Sequence, residues 1–207
     1  MAAKILFHVS HEFISGDTSA VSVKIYAVGT VHFLNSFWKW LWKAKIHERL
    51  KFFMWKISVG ILPTCDKIGR FLPLINPFCM LCGGAPESVE HLFLSCPFSR
   101  SVWWGSKWAF RLDHFQNWNI IQWMNLILDR GNPAFDSIAQ NLEFTTYAAV
   151  IMDLTWKNRN KVLHGEEIDS VESIIAKTDS KVREMLPSQI SKFKDANQRH
   201  DLHIIKV

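Results

Sequence analysis

Apolar side chains recur at intervals of three and four residues through the last third of the chain. The pattern begins after Pro133, is interrupted by Arg159, and stops at Gly165, a residue that commonly ends helices. It therefore predicts one long amphipathic helix. The positions on its apolar stripe are Ile138, Leu142, Thr145, Ala149, Met152, Trp156 and Leu163.

A second helix is predicted directly after the first. Asp169 stands three residues before Glu172, the spacing of a capping box, and an apolar stripe follows as far as Pro187. We expect this helix to end before Pro187. The two helices would form a hairpin, and the polar segment 188–207 would fray.

Helical signals in the first half are shorter. Residues 37–57 contain no Gly or Pro, which favours a helix over part of that length. Thr64 is a candidate cap for a helix with Ile68, Phe71 and Leu72 on one face, and Pro97 can begin another helix. Within the lead-in, residues 22–26 alternate in a way that allows a short strand, although a helix is not excluded.

Three cysteines and one histidine follow a spacing typical of zinc sites, Cys79-x2-Cys82-x8-His91-x4-Cys96. A Cys-x2-Cys turn presents two thiolates to one ion, and the four side chains would fill a tetrahedral shell. A filled shell leaves no position for water, so we expect structural Zn2+. The alternative is four unrelated residues, with the cysteines as buried apolar groups.

Local signals around this motif agree with a compact site. The pair Gly83-Gly84 allows a tight turn after the second cysteine, and Ser88 can cap a helical turn that carries His91. The fourth cysteine, Cys65, falls in the first turn of a predicted helix, where a thiol can become reactive; a buried structural thiol is the more ordinary expectation.

These signals predict a mainly α fold, with a small zinc-stabilised helical lobe followed by an amphipathic helical hairpin. Four segments follow from them. They are the lead-in 1–36, the zinc-binding domain 37–112, the helical region 113–187 and the polar tail 188–207.

Composition limits the class of protein. The chain is 48% apolar with ten Trp and fifteen Phe, more aromatic area than a solvated surface carries, so most of it must pack inside or against a partner. No apolar run is long enough for a membrane span or a signal peptide, so we expect an intracellular protein, nuclear or cytoplasmic, without a membrane partner.

The formal net charge is +5, and the basic excess lies in the first half, where residues 1–110 contain twelve Lys and Arg against six Asp and Glu. Such an excess attracts polyanions, although it can equally serve to solvate helix faces.

Several segments closely resemble the plant reverse-transcriptase zinc-binding domain, a module of LINE-type non-LTR retrotransposon polyproteins. They are KAKIHERLKFFMWKISVGILPT, CMLC, ESVEHLFLSC and PFSRSVW. Glu87 and His91 match the family's Glu-x3-His pattern, and Trp156, Lys157, Arg159 and Asn160 match a downstream Trp-Lys-x-Arg-Asn segment. The resemblance implies a retroelement-derived zinc module. No Asp-Asp dipeptide is present, so we expect the polymerase domain to be missing. We also expect the ribonuclease H domain to be missing, because the sequence ends where the resemblance would place its start.

The resemblance implies contact with RNA or an RNA–DNA hybrid. A basic segment interleaved with Trp and Phe precedes the cysteines, and such segments follow phosphates and stack on bases. The candidate contacts are Lys43, Lys45, Arg49 and Lys51. The alternative is a protein-interaction or self-association module. Neither an enzyme nor a small-molecule substrate is expected, because no nucleophile arrangement, phosphate loop or carboxylate pair is recognisable.

Overall fold

A computed structural model describes residues 37–72, 74, 76–115, 117–129, 135 and 137–204, with side chains as far as residue 187. The predicted lead-in 1–36, including the possible strand at 22–26, lies outside the described residues.

The described part of the chain is helical and contains no strand, which confirms the mainly α prediction. Antiparallel pairing is limited there to one isolated bridge between Phe78 and Pro86. The α-helices are residues 37–43 (α1), Glu48–Ser58 (α2), Cys65–Gly69 (α3), Pro97–Gly105 (α4), Ile120–Leu128 (α5), Ile138–Leu163 (α6) and Val171–Ile204 (α7); His91–Ser95 form a π-helical turn and Leu112–Phe115 a 3-10 turn.

Helix α6 is the centre of the fold. It contacts α2, α4, α5 and α7, and every residue from 144 to 155 is buried. A helix that is buried all round belongs inside a protein, so the predicted apolar stripe is only one side of a surrounded helix. Its end agrees with the prediction: α6 stops at Leu163, and Gly165 adopts a φ of 68°.

Helix α7 differs from the prediction at both ends. It begins at Val171, because the Ser170 hydroxyl accepts the Ser173 backbone N–H at 3.2 Å and thus acts as the cap. The prediction that it ends before Pro187 is wrong, since the helix continues through that proline to Ile204. Residues 188–204 contain no Gly or further Pro and several good helix formers, which lets the backbone resume after the one hydrogen bond that Pro187 cannot donate.

The aromatic residues pack mainly inside, as composition predicted. Trp103 of α4 contacts Trp123 of α5 at 5.3 Å between ring centroids and Phe110 at 5.8 Å. One apolar cluster runs from Phe37 to Val182, so the cysteine region and the later helices share a core.

The predicted apolar face after Thr64 does not form. Helix α3 ends at Gly69, and Phe71 and Leu72 follow it with 84% and 56% of their surface exposed. The Thr64 hydroxyl donates to the Asp66 carboxylate instead of capping the helix. None of the helices in the described ranges has both the length and the apolar character needed to cross a membrane.

Candidate metal centre

The predicted ligands meet at one point. The ligand atoms of Cys79, Cys82, His91 and Cys96 all lie within 4.8 Å of one another. The Sγ atoms of Cys79 and Cys96 are 3.9 Å apart, and Cys82 Sγ lies 3.3 Å from His91 Nε2.

These separations fit a tetrahedral zinc shell. Zinc binds sulfur at about 2.3 Å and imidazole nitrogen at about 2.0–2.1 Å, so tetrahedral angles place two sulfurs about 3.8 Å apart and a sulfur and a nitrogen about 3.5 Å apart. Both distances in the structure lie close to those values. A donor set of three thiols and one imidazole is also one of those found in structural zinc sites.

The first two cysteines are held by a tight turn. The Gly83 N–H donates to the Cys79 carbonyl at 2.7 Å, and the Cys79 N–H donates to the Ala85 carbonyl at 2.7 Å. Gly83 has a φ of 64°, a conformation that favours glycine, as the Gly-Gly pair predicted. The Gly84 N–H also points at Cys82 Sγ, 3.5 Å away.

The other two ligands are brought together by the π-helical turn. The Ser88 hydroxyl accepts the His91 N–H at 3.0 Å, which confirms the predicted cap. The Cys96 N–H then donates to the His91 carbonyl at 2.6 Å, an i to i+5 bond that places residues five apart one turn from each other. Cys96 is also the residue before α4, which starts at Pro97.

Electrostatics at the cluster favour a cation. A hydrogen bond to Cys96, followed by burial, raises the pKa of the Cys79 thiol, and the same bond lowers the pKa of Cys96. Ionisation of both thiols is therefore unfavourable unless a positive charge compensates the second thiolate. Burial lowers the pKa of His91 and keeps its ring in the neutral form that a metal requires.

Glu87, which precedes His91 by four residues, ties this cluster to the rest of the fold. Its carboxylate accepts the Met80 N–H at 3.3 Å, inside the Cys-x2-Cys turn, and the Cys65 N–H at 3.0 Å, at the start of α3. The carboxylate thus takes the capping role that was predicted for Thr64. Its side chain is fully buried.

Arg159 of α6 supplies the counter-charge. Its Nη2 lies 2.6 Å from Glu87 Oε1, and its Nε lies 2.9 Å from the same atom. Burial alone would lower the pKa of Arg159, but the hydrogen bonds and charge of Glu87 raise it. Arg159, which interrupts the predicted apolar stripe of α6, is therefore buried like the apolar residues of that stripe, and its charge is paired with that of Glu87.

Cys65 lies in the same buried pocket. Its Sγ is 3.4 Å from Arg159 Nη2, and burial followed by the charge of Glu87 raises the pKa of the thiol. A buried thiol with a raised pKa is a poor nucleophile, which favours the expectation that Cys65 is a structural thiol over the expectation that it is reactive.

The four residues predicted to contact nucleic acid differ in their exposure and in their ion pairs. Lys43 and Lys45 are exposed. Arg49 is exposed but pairs with Asp153 at 3.1 Å. Lys51 is 7% exposed and donates to the Trp42 carbonyl at 3.3 Å and to Glu48 at 2.8 Å. Lys51 thus faces inward and is removed from the predicted set, because it follows the buried side of α2.

Aromatic side chains near these lysines are exposed. Helix α1 buries Phe37 and Leu41, and its opposite side displays lysines and tryptophans. Trp42 packs against Phe52 of α2 at 5.6 Å between centroids, and they are 42% and 54% exposed. We name this surface the Trp42–Phe52 face; it comprises Lys39, Trp40, Trp42, Lys43 and Phe52.

Comparisons with known proteins agree with the site. A family model described as "zinc-binding in reverse transcriptase" matches residues 24–103, which include all four ligands. An Arabidopsis thaliana protein named "Putative ribonuclease H protein" is 27% identical over 133 residues. That alignment covers 64% of this chain and 21% of the relative, so the chain spans about a fifth of the relative's length. No solved structure matches the chain.

Proposed function

We propose that this chain is a non-catalytic zinc module, because residues 24–103 match a family model described as zinc-binding in reverse transcriptase, in agreement with the sequence resemblance. It contacts RNA or an RNA–DNA hybrid through the Trp42–Phe52 face. The zinc serves the fold, and the binding surface lies outside the metal shell.

The proposed structural role of zinc follows from the ligand set. Cys79, Cys82, His91 and Cys96 supply four protein ligands, and a tetrahedral ion held by all four has no position left for an activated water. Cys79 and Cys96 are 1% and 0% exposed, so the ion would lie at the edge of the core. A role in folding fits that position.

The observation that carries nucleic-acid contact is the exposure of aromatic rings among lysines. Apolar rings on a helix surface forgo burial, and single-strand binding uses such rings as stacking platforms with cations along the backbone. On α1, Lys39 and Lys43 are four residues apart and so lie on one side, next to Trp40 and Trp42.

The test compares charge reversal on this face and at the neighbouring exposed Lys45 with charge reversal elsewhere. The variant Lys43→Glu/Lys45→Glu should weaken binding of a fluorescein-labelled single-stranded RNA by at least tenfold at about 0.1 M salt, because phosphate contacts dominate such affinity. The matched control is Lys181→Glu/Arg183→Glu on α7, which changes the net charge equally.

Fluorescence anisotropy across a salt series distinguishes the outcomes. A shallower salt slope in the first variant alone supports the proposal. Equal weakening in both variants indicates a non-specific charge effect, and absence of RNA binding by the wild type would sink the proposal.

A second candidate function is protein interaction, and one observation favours it. The loop beside the cysteine turn exposes Phe71, Leu74 and Phe78, at 84%, 102% and 45% of their surface. Exposed apolar groups in one loop are typical of protein contacts. Light scattering after size exclusion tests self-association: a dimer that Leu74→Asp dissociates would favour this function over RNA contact.

A further inference from the structure

A groove of about 490 Å³ opens beside the end of α6. It lies between the last turns of α2 and α6, the loop that joins α2 to α3, and α3 itself. Its volume falls in the range of small-ligand sites. Phe53, Leu62 and Trp156 contribute apolar side chains, and Lys56, Asn160 and His164 contribute polar ones. We name it the Trp156 groove.

The polar groups of the Trp156 groove are donors. Lys56 Nζ, the Asn160 amide nitrogen and the His164 ring have no hydrogen-bond partner among the side chains and backbone that the structure describes. Asn160 Oδ1 already accepts from Arg159 Nη1 at 3.0 Å, which leaves the amide nitrogen as the available group. No carboxylate is among the described residues that line the groove.

This combination selects an anion with a flat apolar part. An exposed lysine attracts negative charge, whereas Trp156, which is partly exposed, offers an indole for stacking. A nucleotide has both parts, a phosphate and an aromatic base with carbonyl oxygens that accept from an amide N–H. Base stacking on tryptophan and phosphate contact by lysine are the usual elements of single-strand recognition.

We propose that the Trp156 groove binds one nucleotide of a single-stranded RNA, with the base against Trp156, the Asn160 amide at the base edge and the phosphate at Lys56 and His164. This inference rests on the proposed function, because it extends the path of the RNA from the Trp42–Phe52 face.

Helix α2 connects the two surfaces. Phe52 belongs to the Trp42–Phe52 face, and Lys56 borders the groove four residues later, so the two side chains are neighbours on one side of the helix. One turn of α2 rises about 5.4 Å, which exceeds the rise of about 3.4 Å per nucleotide in a stacked strand, so a partly extended strand matches the separation of the two side chains. A strand that stacks on Phe52 therefore reaches Lys56 without leaving the surface.

The experiment uses the full 207-residue chain loaded with zinc and a fluorescein-labelled oligouridine of about ten nucleotides, a length within the range of one single-strand-binding domain. Lys56→Gln should reduce affinity several-fold and lower the salt slope by roughly one. Trp156→Leu should reduce affinity about tenfold without changing the salt slope, because stacking involves no charge. Lys181→Gln on α7 is the matched control.

A second measurement remains valid where Trp156→Leu fails to fold. Wild-type protein is crosslinked by ultraviolet light to the same oligomer carrying 4-thiouridine, and the modified peptide is sequenced. Crosslinks to the tryptic peptide that ends at Lys157, which contains Trp156, support the groove.

The other outcomes separate the two proposals. RNA binding that Lys43→Glu/Lys45→Glu abolishes, while Lys56→Gln leaves it unchanged and crosslinks fall elsewhere, overturns the groove and leaves the proposed function standing. No RNA binding by the wild type overturns both. A third outcome is that the wild type binds no RNA but binds a labelled peptide of alternating Glu and Leu, and that Lys56→Gln loses this binding. That result assigns the groove to an acidic protein segment and overturns the proposal that it binds a nucleotide.

Discussion

Glu87 and Arg159 form an ion pair inside the protein, 72 residues apart in the chain and with both side chains 0% exposed. Glu87 lies between two zinc ligands in sequence, and Arg159 lies in the central helix α6. The pair therefore joins the cysteine cluster to the helical core. Its environment includes Trp156, whose ring centroid lies 5.0 Å from the Arg159 guanidinium carbon.

Removal of one partner should be costly. Arg159→Met leaves the Glu87 carboxylate buried without its counter-charge, and an uncompensated buried charge destabilises a protein by about 3–5 kcal/mol. We expect a loss of that size in the free energy of unfolding, measured by urea titration in the presence of zinc.

The double variant and a surface control complete this test. Glu87→Gln/Arg159→Met removes both charges, so its loss should be smaller than the sum of the two single losses. Lys157→Ala removes an ion pair in which the lysine is exposed and Asp153 is buried, and Asp153 keeps Arg49 as a partner, so it should cost at most about 1 kcal/mol. Equal losses of unfolding free energy in Arg159→Met and Lys157→Ala would mean that the buried ion pair contributes no more to stability than the pair between Lys157 and Asp153.

Zinc removal should unfold more than the cysteine region. Structural zinc contributes on the order of 10 kcal/mol to small modules at neutral pH. Because Leu92 and Phe93 of the π-helical turn belong to the same apolar cluster as α6, loss of the ligands should propagate into the helices. Circular dichroism during chelation is expected to show loss of most helical signal.

Cysteine substitution gives the matched control for that prediction. Cys82→Ser should lose bound zinc, whereas Cys65→Ser should keep about one zinc per chain, since Cys65 contacts Arg159 and lies outside the cluster. Zinc release measured with a colorimetric chelator distinguishes them. Retention of full stoichiometry by Cys82→Ser would contradict the ligand assignment.

The ligands and the long helix were predictable because their signals are local. Cys-x2-Cys spacing and the intervals of α6 depend on residues close in sequence. Helix α5 also had a signal, since Asn119 and Gln122 form a capping box before an apolar run. That signal was missed.

Long-range pairing was not predictable in the same way. Arg159 was interpreted as an interruption of the apolar stripe, because sequence spacing cannot show that the folded chain places Glu87 opposite it. Lys51 read as a surface cation for the same reason: its burial depends on how α2 packs, and its partners Glu48 and the Trp42 carbonyl become visible only in three dimensions.

Alkaline pH should destabilise the protein through Tyr147. Its side chain is buried and its hydroxyl donates to Asp179 at 2.8 Å; burial and then this bond raise the pKa of the phenol. The stabilising effect is therefore complete below the unfolded pKa of about 10 and is lost as pH rises above it, by roughly 1.4 kcal/mol per pH unit at most.

The variant Tyr147→Phe separates the bond from the titration. It should cost about 1 kcal/mol at neutral pH and show a weaker fall in stability above pH 10. The chain has two tyrosines, so the tyrosinate absorbance assigned to Tyr147 by difference from this variant should appear only as the protein unfolds. Ionisation of Tyr147 in folded protein near pH 10 would show that burial does not control it.

Substitution by alanine should affect zinc affinity differently at the two glycines of the cysteine turn. Gly83 has a φ of 64°, so Gly83→Ala forces a left-handed conformation on alanine at a cost of roughly 1–2 kcal/mol, whereas a side chain at Gly84 meets nothing closer than the Cys82 carbonyl oxygen at 3.9 Å. Because Gly83 bonds the Cys79 carbonyl, this strain acts on the ligands. Competition with a chelator should show a zinc affinity about tenfold lower in Gly83→Ala and close to that of the wild type in Gly84→Ala. Equal affinities in the two variants would mean that the turn relaxes without disturbing the thiolates.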